Sequence, residues 1–463
     1  MKIAVINGSP KGNNSATVHS LLYLERLNSA DKFTYIDAGQ KVKAYIKDIT
    51  LIKDAIEDAD LIVFSYPVYT FIAPSQLHYF IELLKESDLD IKGKYCTQIT
   101  TSKHFYDITA HKYIEENAKD LGLKYIKGLS ADMDDLLNKK GQKELCDWFE
   151  FVKWSISEGI YDKCVVLNSE YSQKEASLVE AVAKTKDGEV VIVADYDSIN
   201  DNVYKMVKRF QSVLDRNSRV LRLKDIPLRG GCLGCFNCAV SGKCVYTDGY
   251  DDFLRNEIQS AACTIYAFSI KDHSMGPRFK MFDDRQFCNG HRTVTMGSPV
   301  GYIVSGAYSE EINLRTILEA RAEVGGNIFS GVATDEHNPD REIDQLAKTV
   351  SFMLDNKISK PQNFYGIGGM KIFRDLIFTM RGMMKADHKF FKSHGQYDFP
   401  QKKKGTILKM YLVGMLLSNP KIMKKAGGKL TDGMVGPYRK VIEELDSQLC
   451  DKSTIEKKIP VLQ

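Results

Sequence analysis

Four cysteines stand close together as Cys232-x2-Cys235-x2-Cys238-x5-Cys244, with Gly231 and Gly234 easing the turns between them. Thiolates at this spacing can all face one centre, and the pattern is near that of [4Fe–4S] ligation. Structural zinc also takes four thiolates, but more often as two separated C-x2-C pairs. Thiols without metal are the third reading. A second chemical stretch opens the chain. The apolar, β-branched run Ile3-Ala4-Val5-Ile6 turns through Asn7-Gly8-Ser9-Pro10-Lys11-Gly12 into a helical pattern from Asn14. A strand, a tight polar turn and a helix N-terminus make an anion site, because unpaired N–H groups and the positive end of the helix dipole point into the turn. Ser9, Lys11, Asn14, Ser15, Ala16 and Thr17 are the candidate phosphate ligands, and no Asp or Glu intrudes. Neither G-x-x-x-x-G-K-[ST] nor G-x-G-x-x-G occurs, which argues against a nucleoside triphosphate loop and the usual dinucleotide fingerprint. The plainer reading is an ordinary strand–helix turn with a Ser/Asn cap.

These residues need a frame. Apolar runs predict strands at 2–7, 33–37, 60–65, 94–100 and 123–129, and helical periodicity fits 14–27, 48–58, 74–86, 106–121 and 141–157. Alternating strands and crossover helices make a doubly wound parallel sheet, whose ligands bind beyond the strand carboxyl ends. The loop after the third strand offers Pro67, Val68, Tyr69 and Thr70, suited to a flat heteroaromatic ring. The loop after the fourth offers Thr100, Thr101, Ser102 and His104 as hydrogen-bonding groups. A phosphate loop, an aromatic loop and a polar loop then share one sheet edge.

With these loops in view, the first 160 residues or so resemble the flavodoxin-like NAD(P)H-dependent FMN reductases. Asn7-Gly8-Ser9-Pro10-Lys11 matches their phosphate-loop opening, and Tyr66-Pro67-Val68-Tyr69 matches the loop beside the isoalloxazine. The cysteine stretch resembles the compact motif of the iron–sulfur flavoproteins, relatives of that family. The resemblance implies FMN as cofactor and NAD(P)H as cosubstrate. The electron acceptor would be a small molecule or a protein. The flavin carries the chemistry, and no dedicated acid or base is assigned.

From Glu189 the pattern begins again, with strands expected at 189–194, 219–224, 263–268, 298–304 and 326–333. The second copy's first loop, Ala194-Asp195-Tyr196-Asp197-Ser198-Ile199-Asn200-Asp201, carries three aspartates that would repel a phosphate. One copy keeps the phosphate loop and the other the cysteines, which suggests an internal pseudo-dimer with one FMN at the first copy. The loops Ser269–Gly276 and Ser305–Ser309 are expected to wall its pocket. The expected organisation is a flavodoxin-like domain over 1–158 and a connector over 159–187, with a short strand at Cys164–Leu167 and a helix from Gln173 to Ala183. A second flavodoxin-like domain covers 188–358, and a helical extension 359–463. Both sheets are expected to be five-stranded in the order 2-1-3-4-5.

The extension is basic and rich in methionine. Residues 360–430 hold fifteen Lys/Arg against three Asp/Glu. Helices are expected at 369–385, 405–418 and 434–449. A cover packed onto the two sheets is preferred over peripheral membrane contact. Across the chain, 43% apolar and 27% charged residues suit a globular protein, and a net charge of +4 makes no case for nucleic acid. No secretory leader or membrane span is visible. Ten cysteines without a leader point to the cytoplasm. Cys96, Cys146, Cys263 and Cys450 read as packing residues. Taken together, the chain reads as an NAD(P)H-dependent FMN oxidoreductase, with [4Fe–4S] ligation at the cysteine loop among the open readings. The alternative is a non-enzymatic flavodoxin or iron–sulfur electron carrier.

Overall fold

The computed structural model describes residues 1–162 and 171–450. Among the described residues eleven strands build two parallel sheets: β1 (Lys2–Asn7), β2 (Lys32–Ile36), β3 (Leu61–Pro67), β4 (Tyr95–Ser102), β5 (Lys124–Tyr125) and β6 (Leu129–Asp132), then β7 (Lys186–Ala194), β8 (Arg216–Arg222), β9 (Cys263–Ser269), β10 (Pro299–Ser305) and β11 (Ile328–Thr334). The first sheet runs β2-β1-β3-β4-β5, with β6 also on β4, and the second runs β8-β7-β9-β10-β11. Each copy thus has the expected doubly wound order. The register sets Asn7 beside Ser65 and Pro67 beside Thr101, so the ends of β1, β3 and β4 share one edge.

Several elements depart from the sequence expectation. The strand expected at 123–129 is two short strands, because the chain breaks at Gly128, where a Cβ would lie 2.4 Å from the Gln98 carbonyl oxygen. The first sheet therefore has six strands. An unexpected helix, Ala38–Lys47, starts beneath the phosphate loop, and Gly39 permits it: a Cβ there would stand 2.0 Å from the Ser9 carbonyl oxygen. The helix expected at 173–183 does not form. Its backbone bonds outward instead, from Lys174 N–H to the Asp335 carbonyl at 2.9 Å and from Val182 N–H to the Ser212 carbonyl at 2.8 Å. The strand expected at Cys164–Leu167 lies outside the described residues, as does the side chain of Cys450.

Residues Met1–His394 form one compact unit and Gly395–Gln463 another. Within the first unit the layers follow from which helix face is apolar. Helices Ala16–Leu27 and Lys139–Glu158 close the outer face of the first sheet through Leu21, Leu24, Phe149 and Val152. Asn202–Val213 and Pro339–Asn356 do the same for the second through Met206, Phe210, Leu346 and Val350. The inner faces share one core. Phe64, Phe80 and Tyr113 from the first half join Phe268, Phe279 and Leu318 from the second. Helix Ser75–Glu86 packs on Gly276–Arg285, and Asp107–Asp120 on Ile312–Gly325. Cys96 and Cys263 are fully buried in these cores, as expected of packing residues, while Cys146 is partly exposed.

The C-terminal helices are Phe364–Thr379, Lys385–Ser393, Lys404–Leu417 and Pro420–Cys450. The expected cover is realised in part. Ile377, Met384 and Phe391 are buried, whereas Lys404–Leu417 buries no residue.

Candidate functional site

The Asn7–Thr17 turn, the candidate phosphate loop, folds as its sequence dictates. Ser9 N–H donates to Asn7 Oδ1 at 3.1 Å, and Gly12 N–H to the Ser9 carbonyl at 3.0 Å. Gly12 takes φ +55°, where a Cβ would strike Gln40, so the tight turn requires glycine. The helix starts at Ala16 with Ser15 as its N-cap, and the Ser15 hydroxyl makes no cap bond. The first-turn N–H groups, Ala16 and Thr17 among them, therefore have no intrahelical acceptor. Ser9, Ser15 and Thr17 are buried, Lys11 is half-buried, and Asn14 and Ala16 are exposed.

At this edge Thr17 Oγ1 in the first helical turn, Ser65 Oγ beside Asn7, Tyr69 OH in the loop after β3 and Thr101 Oγ1 near the end of β4 are buried and have no hydrogen-bond partner. Such groups are costly to leave unpaired and mark where a polar ligand would bond. Burial pushes the Tyr69 hydroxyl well above its ordinary value. Pro67 and Val68 are half-buried beside Tyr69. Other predicted residues are already committed. The Thr100 hydroxyl and His111 Nε2 share a hydrogen bond of 2.8 Å, and burial lowers His111 to about 4. The Ser102 hydroxyl accepts from His104 N–H at 2.9 Å. His104 itself is exposed and paired with Asp107 at 2.7 Å. Thr70 turns away from the edge and donates to Asp284 at 2.5 Å.

Asp284 belongs to a buried polar knot between the halves. Lys280, fully buried, reaches the Tyr69 carbonyl at 2.9 Å, Thr70 Oγ1 at 2.9 Å and the Asp284 carboxylate. Asp284 also accepts from Ser75 N–H at 2.8 Å. The equivalent turn of the second half mirrors this arrangement. Thr70 and Phe71 have positive φ, as do Asp272 and His273, and Asp272 is buried against His78 at 2.7 Å and Tyr113 at 2.9 Å. Neither second-half loop walls the first half's edge as expected. Lys271–Met275 packs on the helices behind it, and Ser305 is bonded to Asp335 at 2.5 Å.

The cysteine loop takes the place expected of those loops. Gly234 sits on Tyr69: a Cβ there would lie 1.8 Å from Tyr69 OH and 3.1 Å from Lys11 Cε. The Lys11 ammonium stands 5.5 Å from the Phe236 ring centre. Positive φ at Gly234, Phe236 and Gly242 folds the loop back on itself. Cys232, Cys235, Cys238 and Cys244 then line one cavity of ≈ 170 Å³ with Val68, Tyr69 and Cys288. Cys288 stands outside the motif, and sequence reasoning missed it because nothing in its spacing ties it to the other four. Gly234 N–H donates to Cys232 Sγ at 3.4 Å. Burial pushes the Cys232 thiol up to about 12 and Cys238 to about 11. Arg285 anchors the loop's far end through two 2.9 Å bonds to Asp248 and a contact 4.1 Å above Tyr246.

The spacing of the thiols bears on what they could hold. A tetrahedral zinc with Zn–S near 2.3 Å needs sulfurs about 3.8 Å apart. Among the described residues no three cysteine sulfurs approach within 4.8 Å, and the only metal-ligating trio that does is Glu116, His273 and Glu311. The cysteines thus surround a space rather than close on one ion.

The second half's own first loop has no room for an anion. Asp201 Oδ2 accepts from the N–H groups of Asp197 at 2.8 Å and Ser198 at 3.2 Å. Arg278 pairs with Asp195 at 2.7 Å and with Asp197 at 2.7 and 2.9 Å. Carboxylates stand where a phosphate would bind.

No curated protein matches the chain. Solved structures that resemble part of it include an FMN-dependent NADH-azoreductase from Bacillus anthracis in complex with FMN, at 15% identity and TM-score 0.27, over 34% of this chain and 99% of that one. An NADH:FMN oxidoreductase in its apo form gives 16% identity and TM-score 0.29, over 33% and 88%. An NADPH-quinone reductase from P. pentosaceus gives 15% identity and TM-score 0.26, over 33% and 97%. Residues 1–130 match the family model described as a flavodoxin-like fold, and it is this family's fold that the first half of the chain carries.

Proposed function

We propose that the chain is an NAD(P)H-dependent oxidoreductase that holds one FMN at the carboxyl edge of the first sheet. The observation that carries this reading is the set of buried, partnerless hydroxyls of Thr17, Tyr69 and Thr101, on a first helical turn, a loop and a strand end around an uncapped helix N-terminus. The Ser9–Thr17 turn would bind the phosphate through N–H groups, Ser15 and Thr17, with Lys11 supplying charge. Pro67–Tyr69 and Thr101–Ser102 would hold the ring. FMN, when bound, takes a hydride from the reduced nicotinamide and passes two electrons to an acceptor. The chain's own part is to bind, orient and exclude water; Thr70 and Thr100 act by holding the loops rather than by touching the ring.

The cysteine loop packs on the same edge, so it belongs to the same site. Cys232, Cys235, Cys238 and Cys244 are the ligands we assign to a [4Fe–4S] cluster, on the fit of a cysteine-lined cavity with an N–H already aimed at one sulfur. A cluster there would divide electron pairs for a one-electron acceptor. We read the two halves as an internal pseudo-dimer, the second copy supplying cysteines instead of a phosphate loop, in the reducing cytoplasm.

Anaerobic purification tests this directly. The expected result is one FMN per chain by absorbance, about four irons with matching labile sulfide, and rapid oxidation of NADH or NADPH with an artificial acceptor. Two FMN per chain would refute the single site. Bound FMN without nicotinamide oxidation would favour the electron carrier.

A further inference from the structure

The second compact unit, Gly395–Gln463, carries a feature that the oxidoreductase reading does not use. Helix Lys404–Leu417 buries none of its residues, although nearly all are apolar from Ile407 onward. Ile407, Leu408, Tyr411, Leu412, Met415 and Leu416 are between 40% and 75% exposed. At 100° per residue these six cover one half of the circumference, and Met410, Val413 and Leu417, also unburied, lie on the other half, so the apolar surface runs round the helix. A protein groove covers one side of a helix, and a second copy of this helix would also cover one side. Either would leave the opposite apolar side in water. A hydrocarbon phase solvates every side.

Charge points the same way. Between Phe399 and Thr431 the sequence has eight lysines and no Asp or Glu. Lys402, Lys403 and Lys404 precede the apolar run, and Lys421, Lys424 and Lys425 follow it. Basic groups at both ends of an apolar segment suit anionic headgroups, and their long stems let the ammonium groups stay at the surface. Length sets the mode. Fourteen residues span roughly 21 Å, short of the roughly 30 Å hydrocarbon core. No helix among the described residues is long and apolar enough to cross a membrane.

We propose that helix Lys404–Leu417 inserts shallowly into an anionic phospholipid bilayer and holds the protein at that surface. Apolar burial supplies the binding and the flanking lysines select the lipid charge.

Flotation of the full chain with vesicles tests it. Vesicles of phosphatidylcholine with 30% phosphatidylglycerol should carry the protein at 0.1 M salt, and pure phosphatidylcholine about tenfold less. Leu412→Glu with Leu416→Glu should abolish flotation on both, with circular dichroism unchanged. Lys402→Glu, Lys403→Glu and Lys404→Glu together should lower binding to anionic vesicles about tenfold and leave the weak neutral binding as it was. Failure of wild-type protein to float on anionic vesicles would overturn the proposal. So would flotation of the Leu412/Leu416 variant at the wild-type level. A wild-type oligomer that this variant turns into a monomer, without vesicle binding, would identify a second copy as the occupant and refute the bilayer.

Discussion

At the scale of single residues, the Lys280–Asp284 pair is the most consequential. Both side chains are fully buried, and Asp284 holds Thr70 and Ser75 while Lys280 holds the Tyr69 carbonyl. Removing one partner strands an uncompensated charge. Asp284→Ala is expected to cost about 3–5 kcal/mol in urea unfolding. Lys280→Met with Asp284→Leu should recover part of that loss, because it removes both charges together. Ser15 tests the proposed phosphate site. Ser15→Asp sets a negative charge on the helix N-terminus against the phosphate, and FMN affinity should fall about a hundredfold or more. Equilibrium dialysis measures this, and unchanged affinity would place the flavin elsewhere.

At the scale of elements, the cysteine loop depends on its approach to the first half's loops. Gly234 combines φ +62° with a Cβ position 1.8 Å from Tyr69 OH. Gly234→Ala would need both a left-handed alanine and displacement of Tyr69 or of the loop. On the proposed cluster and flavin assignments, the expected outcome is a stable protein with less bound iron than the wild type and weaker FMN binding, read by metal analysis and absorbance. The first and second halves also meet at an ionic cluster. His273 contacts Glu311 and Asp120 at 2.9 Å each, and Asp120 takes Lys85 as well. Burial opposes the imidazolium, but its two carboxylate partners win and raise His273 to about 10. A raised value stabilises the fold fully below the ordinary histidine range, and the contribution is lost as pH climbs through about 10. His273→Gln should therefore lower stability at pH 6 by about 1 kcal/mol, a figure kept small because Asp120 is 44% exposed. The gap should close by pH 10.5, as thermal unfolding at the two pH values would show.

For the molecule as a whole, the inner faces of both sheets bury one common core, so neither half has a complete surface of its own. Residues 1–158 alone would uncover Thr70, Ser75, His78, Tyr113 and Asn117, whose partners Asp284 and Asp272 lie in the second half. That fragment is expected to aggregate or to show a loosened thermal transition and, on the proposed oxidoreductase reading, to oxidise NADH or NADPH more slowly than the full chain. A soluble, FMN-binding, fully active fragment would show that the second half plays no part in the site.

Much of this was readable in the sequence, for reasons that are local. Strand and helix periods fix which faces are apolar, and two successive runs of them predicted two parallel sheets in the same order. The turn Asn7–Thr17 could be picked out as a candidate anion site because its chemistry lies in consecutive residues. The cysteine quartet was visible for the same reason. Tertiary structure decided the rest. The break at Gly128 follows from contact with Gln98, and the loss of a helix at 173–183 from backbone bonds to Asp335 and Ser212. The commitment of Thr70 to Asp284, 214 residues away, cannot be inferred from either loop alone. Cys288 joins the cysteine cavity across 44 residues, and no spacing rule connects them. The sequence predicts which groups are chemically able to act. Only the packing of the two halves decides which of them remain unpaired at the shared edge, because a partner's proximity is a property of the fold and not of the chain.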